Sequence, residues 1–62
     1  MKILYEGTIG SNSFQMVDEN VIEVWGVDDD RPESFIYVRY DSIKSQKDFD
    51  VEISYWYMQN VG

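Results

Sequence analysis

Cysteine and histidine are both absent from this sequence of 62 residues. Without cysteine the chain has no disulfide, no thiol nucleophile and no Cys/His zinc site. Without histidine it lacks the commonest general base near neutral pH. Alanine is also absent, and leucine and proline occur once each, so several favoured helix formers are scarce. These absences favour strands over helices and recognition over chemistry.

Positive charge and long apolar runs are scarce as well. The longest apolar run is too short to span a membrane, and the acid at Glu6 comes too early for a signal peptide, so we expect a cytoplasmic protein. Five Lys and Arg against 12 Asp and Glu give a formal net charge of −7. This excess argues against direct binding to nucleic acid or to an anionic membrane. It favours a basic protein surface as partner, or a charge that serves solubility alone.

What the chain has in quantity is apolar and aromatic side chains, at 44% and 16% of its residues. This content predicts a folded chain rather than an acidic disordered tail. The length allows one domain, covering residues 1–62. Because a domain this small buries little surface and has no visible disulfide or metal, dense aromatic packing and oligomerisation are expected to support it.

Alternating apolar and polar positions predict five strands. Asp18-Glu19-Asn20 reads as a tight hairpin turn, since Asp and Asn tolerate left-handed backbone and bond their own chain. Pro32 lies in a charged loop, because proline does not fit a central strand. The predicted strands cover residues 2–9, 14–17, 21–27, 35–40 and 49–58.

Two of these strands have clearly sided faces. Ile22 and Val24 share one face of the third strand, and Val21, Glu23 and Trp25 share the other. In the fourth strand Ile36, Val38 and Tyr40 oppose Phe35, Tyr37 and Arg39.

The fold class expected from this pattern is all-β. The five strands are expected to form a small antiparallel meander that curls strongly or closes into a small barrel. Residues 41–47 are ambiguous, being compatible with one short helical turn capped by Asp41 or with a wide loop.

A row of acids marks the last predicted strand. Asp48, Asp50 and Glu52 would project from one face of an extended chain, about 6.6–6.8 Å apart. Such a row resembles a phosphate backbone, the device by which small virus-encoded inhibitors of restriction and CRISPR nucleases fill a basic channel. The alternative is a solvated face whose charges prevent aggregation. Four further acids are expected to extend the charged surface: Glu23, Asp28, Asp29 and Asp30.

The same strand ends in large apolar side chains on both faces, at residues 55–58. One set must therefore be covered by the curled sheet itself, by a second copy of the chain or by another protein. Trp56 and Tyr57 are the candidates for apolar anchoring or for a homodimer interface, because Trp and Tyr are enriched at interfaces.

Other chemistries find little support in the sequence. The acids of residues 28–30 lack the alternating spacing, glycine and distal glutamate of a calcium loop, so no metal is expected. No phosphate loop or nucleophile elbow is present, and a small sheet offers little concavity to a substrate, so we expect neither an enzyme nor a cofactor. Base stacking on the aromatics would need a positive groove that the chain lacks.

The function expected from the sequence is protein binding. Its concrete form is an acidic inhibitor of viral or mobile-element origin that mimics nucleic acid and fills a basic channel of a host nucleic-acid-handling complex. The alternative is a structural or adaptor domain that binds a protein partner, or itself, through an aromatic face.

Overall fold

Four antiparallel strands and one C-terminal helix make up the part of the chain that the computed structural model describes, residues 2–61. The prediction of a small, mostly β domain is confirmed. The first four predicted strands are all present, with slightly different ends. The elements are β1 (Tyr5–Ile9), β2 (Asn12–Asp18), β3 (Val21–Trp25), β4 (Ser34–Tyr37) and α1 (Gln46–Asn60).

The strands follow one another in the sheet in chain order, β1-β2-β3-β4. Phe14 lies opposite Gly7 on β1 and opposite Val24 on β3, and Ile22 lies opposite Ile36 on β4. The register shifts between Gln15 and Asp18, which marks a β-bulge in β2. The sheet is a meander, as predicted, but it does not close into a barrel.

The two tight hairpins have the chemistry that their turns require. Gly10 adopts a positive φ of 58° between β1 and β2, a conformation that glycine takes without steric cost. Between β2 and β3 the backbone N–H of Asn20 donates to Asp18 Oδ1 at 2.9 Å. This is the side-chain-to-backbone bond expected of an Asp-initiated turn, so the predicted hairpin at residues 18–20 is confirmed.

The predicted fifth strand at residues 49–58 is wrong, because this segment belongs to the helix α1. Ser45 caps the helix: its Oγ accepts a hydrogen bond from the backbone N–H of Asp48 at 3.2 Å. Asp48 Oδ2 in turn accepts from the backbone N–H of Lys44 at 3.0 Å. Of the two alternatives left open for residues 41–47, the structure has the loop over most of the segment: Asp41 lies in a turn at φ 63° and caps no helix, and α1 begins at Gln46.

The core lies between one face of the sheet and α1. Phe49 and Ile53 from the helix are buried against side chains from β2, β3 and β4. Ile22 and Val24, predicted to share a face, are both buried; Ile36 is buried as well, whereas Tyr40, predicted to share its face, is exposed. Because α1 covers only one side, the sheet keeps a second face that no described element covers. The buried core consists of Phe14, Met16, Ile22, Val24, Ile36, Phe49 and Ile53.

Candidate protein-binding surface

The side of the sheet that α1 does not cover is here called the open face. Side chains along a strand alternate between its two faces. The positions between the buried residues of each strand therefore belong to the open face, and cross-strand partners share a face. Its members are Glu6, Thr8, Ser13, Gln15, Val21, Glu23, Trp25, Phe35 and Tyr37.

The charge on the open face has one sign. None of the four strands contains a lysine or an arginine. Glu6 lies opposite Gln15, which lies opposite Glu23, and Glu23 lies opposite Phe35. The two glutamates are thus two strand spacings apart, about 10 Å. Neither is offset by a basic side chain within the strands, so the face attracts cations.

Aromatic side chains lie beside Glu23 on the β4 edge of the sheet. Phe35 is 46% exposed and Tyr37 is 80% exposed, and their ring centroids are 6.3 Å apart. Val21 lies opposite Tyr37 on the neighbouring strand, and Trp25 is half-buried at the other end of β3. The open face therefore combines carboxylates with an exposed apolar patch, the composition that protein interfaces use.

The loop between β3 and β4 carries three of the predicted binding acids, and their side chains do different things. Asp29 Oδ2 accepts a hydrogen bond from the backbone N–H of Gly26 at 2.8 Å, so this carboxylate shapes the loop. Asp28 adopts a positive φ of 62° and is exposed. Asp30 is exposed and lies 3.8 Å from Arg31 Nε, an exposed pair that contributes little to stability. Asp28 and Asp30 therefore remain accessible to a partner.

The three predicted binding acids of α1 do not form a row. Residues two apart on a helix are rotated by roughly 200°, so Asp50 lies on the opposite flank from Asp48 and Glu52. Asp48 is engaged at the helix cap, and Asp50 Oδ1 accepts from Gln46 Nε2 at 2.9 Å. Glu52 is half-buried. The extended row of carboxylates predicted from the sequence is therefore wrong, because it depended on a strand.

Trp56 and Tyr57, the predicted anchors, are half-buried and pack against the core. The Trp56 ring meets Phe14 edge-on, with centroids 5.8 Å apart. The Tyr57 hydroxyl lies against Gly10. The side chains of this segment that remain exposed are those of Tyr55 and Met58. Trp56 and Tyr57 therefore lie at the interface between α1 and the sheet.

Glu23 lies on the face of β3 opposite Ile22 and Val24, as the sequence alternation predicts, and its role in binding stays a prediction. The sequence analysis did not identify Glu6 and Phe35 as parts of the same surface. The sequence signal for this surface was the alternation of Phe35, Tyr37 and Arg39 with Ile36 and Val38. It did not show which face is open, because a fifth strand was expected to cover part of the sheet.

No protein-family model, curated protein or solved structure matches this chain. Within residues 2–61 no helix is long and apolar enough to cross a membrane. Over the same residues no group of three or more acidic side chains is arranged to hold a metal ion. The open face is therefore the feature of this molecule from which a function can be inferred.

Proposed function

We propose that this protein is an acidic protein-binding module that docks on a basic surface of its partner through the open face. The observation that carries the proposal is the absence of lysine and arginine from all four strands, with exposed Glu6 and half-buried Glu23 on the same face as exposed Phe35 and Tyr37. The carboxylates would meet lysine and arginine, and the aromatic rings would add apolar contact area and cation–π contacts.

The concrete form of this proposal is an inhibitor that occupies a basic channel of a nucleic-acid-handling complex, as in viral or mobile-element defences against restriction or CRISPR systems. The net charge of −7 supports it, because a strongly acidic small domain is attracted to any channel built to hold phosphates. The acids that would take part are those of the open face and of the β3–β4 loop.

The test uses two variants that remove the same charge from different places. Glu6→Gln/Glu23→Gln neutralises the open face, and Asp28→Asn/Asp30→Asn neutralises the loop while keeping residues that tolerate the loop conformation. Partners are captured from nuclease-treated bacterial lysate, identified by mass spectrometry, purified and titrated against each variant. The proposal expects a basic partner and a larger loss of affinity for the open-face variant. Equal losses would mean that only net charge matters, and no loss would overturn the proposal.

The second candidate is an adaptor domain that binds its partner through apolar contact, with charge serving solubility. The exposure of Phe35 and Tyr37 favours it. Salt separates the two, because the Debye length falls from about 10 Å at 0.1 M to about 3 Å at 1 M. A charge-driven complex weakens steeply over that range, whereas an aromatic contact holds or tightens.

A further inference from the structure

The rest of the described chain covers one edge strand of the sheet, β1, and leaves the other, β4, uncovered. The outer edge of β1 is covered at its centre: Gln46 Nε2 donates to the backbone carbonyl of Glu6 at 3.1 Å, and α1 packs along this strand. No described residue covers the outer edge of β4 in this way. An uncovered edge presents unpaired backbone N–H and C=O groups, which natural proteins shield by a very short strand or with lysine, proline or a bulge. Ser34–Tyr37 is short, at four residues, but contains no lysine or proline.

The backbone groups on this edge can be assigned from the β3–β4 ladder. The N–H of Val38 donates to the carbonyl of Asn20 at 2.9 Å, which directs the backbone groups of Val38 toward β3. In an antiparallel pair this direction alternates along the strand, so those of Ile36 also point toward β3. The N–H and C=O groups of Phe35 and Tyr37 therefore point outward, free to pair with another strand.

We propose that β4 pairs with β4 of a second copy of this chain, antiparallel and centred on Ile36, so that two sheets join into one. Charge supports a second copy. Residues 34–40 contain no carboxylate and include Arg39, so this edge is where two chains of net charge −7 repel one another least. A two-fold interface uses the same patch twice, and this strand complements itself.

The complementarity selects the register. Centred on Ile36, the pairing sets Phe35 of one copy opposite Tyr37 of the other, and their outward backbone groups face one another. It also brings Arg39 of one copy near the start of β4 in the other, beside Glu33. The Glu33 side chain is turned toward β2, away from the outer edge: the Glu33 N–H donates to the Val24 carbonyl, and Oε1 accepts from Asn12 Nδ2 at 3.0 Å. Among residues 2–61, Arg39 forms no ion pair of its own.

The neighbouring registers with the same backbone alternation use the outward backbone groups less fully. Centring the pair on Phe35 would set Tyr37 opposite Glu33, whose N–H already donates to the Val24 carbonyl. Centring it on Tyr37 would set Phe35 opposite Arg39, whose carbonyl already accepts from the Ser42 N–H. The register centred on Ile36 is thus the one that pairs the two outward residues, Phe35 and Tyr37, with each other.

The dimer would carry both helices on the same side of an eight-stranded sheet. Its continuous open face would place four aromatic rings at the centre, from Phe35 and Tyr37 of each copy, with Glu6 and Glu23 on either flank. This arrangement doubles the surface of the proposed function. It does not depend on that function, because it is tested on the purified chain without a partner.

Sedimentation equilibrium over a concentration series from about 10 µM to 1 mM tests the dimer. The wild type is expected to show a monomer–dimer equilibrium at low salt. Arg39→Glu replaces the basic side chain at each end of the interface by an acid and should raise the dimer Kd about tenfold or more. Lys47→Glu makes the same charge change on the exposed side of α1 and should raise the Kd less. Tyr37→Pro, which removes an outward N–H, should abolish the dimer.

Circular dichroism of each variant establishes that it is folded. A wild type that is monomeric throughout the series would overturn the proposal. So would a dimer that survives both Tyr37→Pro and Arg39→Glu, which would place the contact elsewhere. Lys47→Gln is the charge-matched control for Arg39→Gln, since each variant removes one positive charge: only Arg39→Gln is expected to weaken the dimer.

Discussion

The methyl end of Ile53 rests on the backbone of Gly7, where a β-carbon would lie 3.3 Å from Ile53 Cδ1. The ring of Phe49 approaches the same point, at 3.6 Å from Cε2. The glycine in β1 therefore sets how closely the helix approaches the sheet. This contact also holds the helix over one face only, so it decides which face of the sheet stays open.

Gly7→Val is expected to destabilise the protein by about 1–3 kcal/mol, because the added methyl groups would push against Ile53 and Phe49. Urea denaturation measures the change in the free energy of unfolding. Thr8→Val is the matched control, since Thr8 is exposed on the open face, and it should change stability by less than about 0.5 kcal/mol. Equal effects at the two positions would contradict this packing.

Gly10→Ala should cost more than its single methyl group suggests. The new β-carbon would lie 2.5 Å from the Tyr57 hydroxyl, and the positive φ adds about 1–2 kcal/mol of strain. Tyr57→Phe removes the clashing oxygen but not the strain. The double variant should therefore be more stable than the sum of the two single losses predicts. Strict additivity in urea denaturation would show that the two residues do not meet.

Ser45→Ala is expected to lower stability by about 0.5–2 kcal/mol through the loss of the helix cap. Asp48→Ala should act in the same direction, because its carboxylate accepts from the Lys44 N–H. Thermal unfolding followed at 222 nm reports both, with Ser42→Ala as a control outside the helix. If Asp48→Ala left stability unchanged and weakened partner binding instead, the sequence-based interpretation of Asp48 as a binding residue would be restored.

Ile53→Ala and Val51→Ala distinguish a helix from a strand at this segment. In the helix Ile53 is 3% exposed and Val51 is 61% exposed. Removing the Ile53 side chain should cost about 2–5 kcal/mol, whereas Val51→Ala should change stability by less than about 0.5 kcal/mol. In a strand the two side chains would share a face, so similar costs in urea denaturation would contradict the helix.

Added salt is expected to stabilise the fold. The net charge of −7 repels itself, and the ion pairs in the described part of the chain are exposed contacts at 3.8 Å that add little. Raising NaCl from 0.01 M to 1 M shortens the Debye length from about 30 Å to about 3 Å and screens that repulsion. The midpoint of thermal unfolding should rise. A fall would mean that attractive pairs dominate.

The four strands were predictable because their alternation is clean and their turns carry Gly, Asp and Asn. Ile22 and Val24 alternate with Val21, Glu23 and Trp25. A strand with one buried face shows this pattern, because its apolar residues recur at every second position. The same alternation put Glu23 and Tyr37 opposite the buried residues of their strands, but it did not predict that this face stays open, because a curled or closed sheet was expected.

The helix was not predictable with the same ease, because its outer side is also apolar. Phe49, Ile53, Trp56 and Tyr57 follow the helical spacing, but Val51, Tyr55 and Met58 fill the positions between them. The result is a local alternation in β-branched and aromatic residues that imitates a strand. The available signal was Ser45 followed by Asp48, which matches a helix N-terminal cap.

The sequence by itself determined the composition, the acidic charge and the period of each sheet strand, since these depend on residues near one another in the chain. Only the tertiary structure decided where the acids lie. The turn at residues 40–45 and the cap at Ser45 direct the last segment back across the sheet as a helix, and burial of Phe49 and Ile53 keeps it there. That long-range packing separated Asp48, Asp50 and Glu52 and left Glu6, Glu23, Phe35 and Tyr37 together on the open face.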